Sequence, residues 1–122
     1  MWNDPISSKQ FNEIAEMSNI RLENARGFVS NVKRGTAFYF NEYAADKFLE
    51  TNGLSHIIRA HEMPFGGYRI DFNGKCITIF SCSHYCRASN IAACIFIDQE
   101  KLRIVKLDTT QNSPAMDNGK DF

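Results

Sequence analysis

The sequence predicts an α/β fold of the α+β kind, with a helix at about 42–52 followed by mostly antiparallel strands. Three observations carry that expectation. Asn41 is a helix N-cap residue, Glu42 suits the first turn, and Asn52-Gly53 supplies a C-terminal stop, which together bound one helix. "GYRIDFNGKCITIFS", residues 67–81, reads as two alternating runs around Asn73-Gly74, a pair preferred in two-residue type I′ hairpin turns. Two more apolar runs, 92–97 and 102–107, flank the polar turn "DQEK" and read as a second strand pair.

The remaining elements follow in order. After Trp2 and an expected turn at Asp4-Pro5, Ser7 or Ser8 caps a short helix that places Phe11, Ile14, Ala15 and Ser18 on one side. The stretch 21–35, "RLENARGFVSNVKRG", is polar, holds two glycines and reads as a surface loop leading to Arg34. "TAFYF", 36–40, is a short β-run. Along the 42–52 helix, Ala45, Phe48 and Leu49 are expected to face the core, and "LSHII", 54–58, follows as a buried strand. Residues 109–122 carry few apolar groups and are expected to form a flexible polar tail.

With 122 residues the chain is expected to form one domain or less, and a fold of that size removes roughly two-thirds of its surface from water. Fourteen basic residues balance fourteen acidic ones, so no global field draws it to nucleic acid or to a membrane. No apolar run approaches the roughly 20 residues that span a bilayer, and the first ten residues lack the features of a signal peptide. The expected location is cytoplasmic, with the nucleus as the alternative. Cys76, Cys82, Cys86 and Cys94 accordingly read as free thiols. A zinc site on Cys82, His84 and Cys86 is the alternative, but a second ligand pair of the usual spacing is lacking.

Two strand ends gather chemistry. Arg59, His61 and Glu62 follow the 54–58 strand, while Ser81, His84 and Tyr85 follow the 76–80 strand. Ligands of α/β sheets gather outside carboxyl ends of strands, so the two clusters are candidates for one rim. Spacing alone leaves a plainer alternative open: His61 structural, Arg59 and Glu62 a surface pair, Tyr85 packed under a loop.

In order, "WNDP", "VKRGTAFYF", "FLETNGLSHIIRAHE", "GYRI" and "ITIFSCSHYC" resemble the second half of the catalytic domain of the serine/threonine phosphoprotein phosphatases, a metallophosphoesterase family. That family shows WSDP, RG followed by aromatics, RAHE or RAHQ, then GY and a hairpin ending in TIFSAPNY. RAHE, GYR, ITIFS and "NIAA" at 90–93 make the sequence most similar to the calcineurin catalytic subunit. The resemblance implies that residues 1–108 are the C-terminal part of a metallophosphatase β-sandwich flanked by helices. It further implies metal-dependent hydrolysis of phosphoserine and phosphothreonine by metal-bound water, with phosphoproteins as substrates.

By the same resemblance His61 is a ligand to one of two metal ions (iron, zinc or manganese), Arg34 holds the substrate phosphate, and Tyr85 faces the phosphate. Arg59, His84 and Cys86 fall at the rim without an assigned part. Cys82-Ser83-His84 stands where the family reads Ala-Pro-Asn, so proline rigidity is lost and an imidazole replaces an amide. The family's GDxHG, GDxxDRG and GNHE motifs, which supply most metal ligands and the general acid, do not occur here. The expectation is therefore an incomplete catalytic domain, inactive as an isolated chain. The alternative is a non-catalytic phosphatase-like interaction module. A calcium-binding regulatory subunit and calmodulin enter as partners only through the resemblance, since the segments that bind them are absent here.

Overall fold

A computed structural model describes residues 2–109 of the chain. Its elements are β1 (Asp4–Pro5), α1 (Ser8–Met17), α2 (Leu22–Ala25), β2 (Phe28–Ser30), β3 (Phe38–Phe40), α3 (Glu42–Asn52), β4 (Ile57–Arg59), β5 (Tyr68–Asp71), β6 (Cys76–Ile79), β7 (Ala92–Ile97) and β8 (Leu102–Leu107). They form the expected mixed α/β architecture as three small sheets, ordered β1-β3-β2, β4-β6-β5 and β7-β8.

The two longer helices start and stop where local chemistry directs. Ser7 caps α1 in a full capping box with Gln10, and the helix buries Phe11 and Ala15 against Val29. Asn41 caps α3 by accepting from the Ala44 N–H, and Gly53 ends it in the left-handed conformation. Ala45 and Leu49 enter a core with Phe40, Ala44, Ile57 and Cys76. Phe48, expected in that core, is 51% exposed, and Ala44, one turn earlier, takes the inward place.

Four other expectations are corrected. Asp4-Pro5 is a two-residue parallel strand on β3 rather than a turn, with Asp4 opposite Tyr39. The stretch 21–35 contains α2 and strand β2, whose single inward residue, Val29, is 1% exposed. One buried residue between an exposed Phe28 and Ser30 leaves too little periodicity to mark a strand. The strand expected at 54–58 occupies Ile57–Arg59, because Leu54 stays exposed while its N–H closes the C-terminal turn of α3 on Leu49. The 67–81 hairpin is closed by four residues, since Asp71 pairs with Cys76. Phe72, Asn73 and Gly74 all have positive φ there, a longer left-handed coil than the two-residue type I′ turn.

Strands β7 and β8 coincide with the expected limits and pair from Ala92 opposite Leu107 to Ile97 opposite Leu102. Asp98 fastens their turn by accepting from the N–H groups of Glu100 and Lys101. The tail expected at 109–122 lies, beyond Thr109, outside the described residues. No helix among the described residues is long and apolar enough to cross a membrane.

Candidate functional site

β4 and β6 run parallel, with Ile57 opposite Cys76 and Arg59 opposite Thr78, so both carboxyl ends open on one side of the sheet. The chain leaving β4 leads to His61 and Glu62; the chain leaving β6 leads into the 82–90 loop. Above β4 lies a cleft of about 1050 Å³ whose walls include Trp2, Asp4, Lys33, Arg34, His61 and Arg69. Arg34 and His61, 27 positions apart in sequence, are thus brought to one cavity.

Arg34 reaches it from the turn after β2. Asn31, 2% exposed, accepts the Arg34 N–H on its Oδ1 (3.1 Å) and donates from Nδ2 to Asp4 (2.8 Å). The Arg34 guanidinium then grips the Asp4 carboxylate side-on, Nε to Oδ2 at 2.5 Å and Nη2 to Oδ1 at 3.0 Å. Such a two-point ion pair fixes the plane of an arginine in a way a lysine cannot reproduce. Arg34 Nη1 makes no hydrogen bond among the described residues, so a donor edge stays open to an anion.

Asp4 is the first link in a chain of alternating charges. Its Oδ1 also accepts from Arg59 Nη2 at 2.9 Å. Arg59 Nη1 donates to Glu62 Oε2 (2.6 Å) and to the fully buried Thr78 hydroxyl (3.0 Å). Glu62 in turn accepts two bonds from Arg69, at 3.2 and 2.9 Å, and Arg69 Nε closes on Asp71 at 2.9 Å. Strand register builds this arrangement, because Arg59 and Arg69 stand on either side of Thr78 across β6. Arg59, expected at the rim or as half of a surface pair, has a side chain only 3% exposed. Two carboxylates neutralise it there, which is the condition under which an arginine is tolerated inside.

Burial pushes the Asp4 carboxyl up, but the bonds and charge of Arg34, the Asn31 amide and the Arg59 charge outweigh it and hold the group below its ordinary range. The Arg34 guanidinium is correspondingly held protonated, chiefly by its bond to Asp4. Burial works against the Arg69 charge, and Glu62 and Asp71 more than restore it. Arg34 and Arg69 are therefore permanent charges at neutral pH.

His61 has φ of +85°, a left-handed conformation rare for a non-glycine residue, and its ring meets Trp2 edge-on with centroids 4.3 Å apart. Among the described residues no three His, Cys, Asp or Glu side chains come together in a group suited to a metal ion. The described residues do not by themselves form a metal centre.

Tyr85, His84 and Cys86 do not line the cleft. Tyr85 packs edge-on against Phe80, and its N–H donates to Asn90 Oδ1 at 2.8 Å. The fully buried Asn90 also donates to the Cys82 carbonyl and accepts the His84 N–H on its own carbonyl. The loop is therefore folded onto Asn90. Asp4 and Arg69 also line the cleft and Asn31 braces Asp4 and Arg34 from behind it; spacing marks none of the three, although Asp4 and Arg69 stand inside "WNDP" and "GYRI".

No family model matches the chain. It is 41% identical over 68 residues to the serine/threonine-protein phosphatase 4 catalytic subunit of Kluyveromyces lactis, covering 55% of this chain and 22% of that protein. Against a protein phosphatase 2A catalytic subunit from Dictyostelium discoideum it is 30% identical over 128 aligned positions, covering 100% of this chain and 36% of the relative. The homologues are serine/threonine protein phosphatases. A solved protein serine/threonine phosphatase from Saccharomyces cerevisiae, with similarity to human phosphatase PP5, superposes with a TM-score of 0.62 at 25% identity over 88% of this chain and 32% of that one. The chain spans between about a fifth and a third of the length of these phosphatases. The mixed α/β architecture is thus that of part of a phosphatase domain.

Proposed function

We propose that this chain is the phosphate-facing part of a catalytic domain that hydrolyses phosphoserine and phosphothreonine in proteins. The observation that supports it best is Arg34, held in one plane by Asp4 with its Nη1 edge free, in the cleft that His61 also lines. In this reading Arg34 binds two oxygens of the phosphate. Lys33, on the same wall, adds positive charge. His61 serves as a single ligand to metal ions, of the iron, zinc or manganese kind, held mainly by residues outside this chain. Tyr85 belongs to the neighbouring rim, reached from β6 as His61 is reached from β4. The closer likeness to calcineurin rests on RAHE, GYR, ITIFS and NIAA, and calcium-binding regulatory subunits or calmodulin are partners only within that finer proposal.

A second reading, a non-catalytic interaction module, draws on the apolar surface of the β7-β8 pair, where Phe96, Ile97, Val105 and Leu107 are all exposed. Titration with inorganic phosphate, followed by calorimetry or by the Arg34 Nε–H NMR signal, separates the two. Saturable binding that is weakened more than about tenfold in Arg34→Ala supports the first, that being the size of a lost charge-assisted contact. Binding unchanged by Arg34→Ala refutes it.

A further inference from the structure

We infer that the buried Arg59 is a positioning residue: one guanidinium that holds both the carboxylate orienting Arg34 and the carboxylate next to His61. The inference rests on the phosphate-facing reading of Arg34 for its functional meaning, and on geometry for everything else. Asp4 comes from β1, Arg34 from the turn after β2, and Glu62 from the segment after β4. Asp4 bonds with Asn31, Arg34 and Arg59; Glu62 bonds with Arg59 and Arg69. Among the described residues, Arg59 is therefore the one side chain bonded to both. Nη2 takes Asp4 Oδ1 at 2.9 Å and the Asn3 carbonyl at 3.1 Å, while Nη1 takes Glu62 Oε2 at 2.6 Å.

The rest of its environment shows what this placement serves. Arg59 Nε is buried with no hydrogen-bond partner. Leaving a buried donor unpaired is costly, so satisfying the arginine does not set this orientation. The arrangement that strands Nε is the one that sends each Nη group to a carboxylate from a different segment. Thr78, fixed in the centre of its sheet, accepts from Nη1 at 3.0 Å and blocks a swing along β6. Lysine offers a point charge where two divergent donor pairs are needed.

The consequence is coupling between groups that do not touch. Glu62 makes no hydrogen bond to Arg34 and acts on it directly only as a nearby charge; the bonded route from Glu62 to Arg34 runs through Arg59 and Asp4. The test uses the full chain, labelled with ¹⁵N, and reads solvent exchange of the Arg34 Nε–H together with the His61 ring signals. In Glu62→Gln the Arg34 Nε–H is expected to exchange about tenfold faster, the factor equivalent to one charge-assisted bond of ~1.4 kcal/mol. Arg59→Lys is expected to do the same and to shift the His61 ring signals, with far-ultraviolet circular dichroism unchanged.

A folded Glu62→Gln variant whose Arg34 exchange stays within twofold of the original chain overturns the proposal, and decides the matter even if Arg59→Lys does not fold. A parallel titration with inorganic phosphate keeps the two readings apart. Faster exchange in Glu62→Gln combined with no phosphate response in the original chain supports the positioning role while removing the phosphate assignment of Arg34.

Discussion

Replacing Asp4 by asparagine removes one charge, almost no volume, and the acceptor on which two arginines converge. The Asp4 side chain is 7% exposed and its carboxylate takes four bonds: Asn31 at 2.8 Å, Arg34 at 2.5 and 3.0 Å, and Arg59 at 2.9 Å. An amide accepts through one oxygen only, and its NH₂ group faces donors. Removing one partner of a buried ion pair costs about 3–5 kcal/mol, because the remaining charge stays desolvated. The pair with Arg59 is fully buried, whereas Arg34 is a quarter exposed and contributes less. The lower end, ~3 kcal/mol, is therefore the expected loss, a large share of the 5–15 kcal/mol that holds most domains. At about 4 °C per kcal/mol, the value between those for small and for larger domains, Tm should fall by ~12 °C.

Acid titration supplies an independent readout. Because the folded state holds the Asp4 carboxyl below its ordinary 3.8, its stabilisation is complete above that pH and disappears as pH falls further. Asp4→Asn should thus flatten the acid limb of the stability curve as well as lower its plateau. Urea unfolding at pH 7 and across pH 2–5 measures both. A variant within ~1 kcal/mol of the original chain, with the same acid limb, would show that the network does not hold this fold together.

Three further outcomes are expected. Gly27→Ala should destabilise by several kcal/mol in chemical denaturation, since φ is +83° and an added Cβ would sit 2.6 Å from Asn41 Oδ1 and 2.7 Å from the Ala44 Cβ. Leu49→Ala should cost about 2–5 kcal/mol by opening the core between α3 and β4, whereas Phe48→Ala on the exposed side should stay within about 0.5 kcal/mol. Among the thiols, Cys82 and Cys86 are exposed and should react with a thiol reagent at pH 8 in the folded chain, while fully buried Cys76 should react only on unfolding. Burial, seconded by the Asp71 charge, pushes the Cys76 thiol from 9.0 up to about 11, so the stability it lends is full below pH 9 and is lost as pH rises through that interval.

Local signals in the sequence marked the elements that close on themselves. Asn41, Gly53 and Ser7 delimit helices without outside help, and β7 and β8 carry their pattern over six residues each. Where an element depends on distant partners, the pattern misled. Strand β2 shows one apolar inward residue, β1 is two residues on β3, and Leu54 has the composition of a strand residue while serving the end of a helix. The site divides in the same way. Arg34 and His61 stand out only through the resemblance of "VKRG" and "RAHE" to family motifs, and Arg59 looks like a surface cation until Asp4, 55 positions away, is placed beside it.

That separation bears on the order in which the molecule can assemble. Asp4 leaves the ribosome before its partner in β4, which follows 55 residues later, and β4 itself pairs with β6, 19 residues further on. Closing such loops is the slow part of folding for non-local topologies. A nascent chain halted before β6 therefore lacks both the sheet partner of β4 and the Thr78 hydroxyl that holds Arg59.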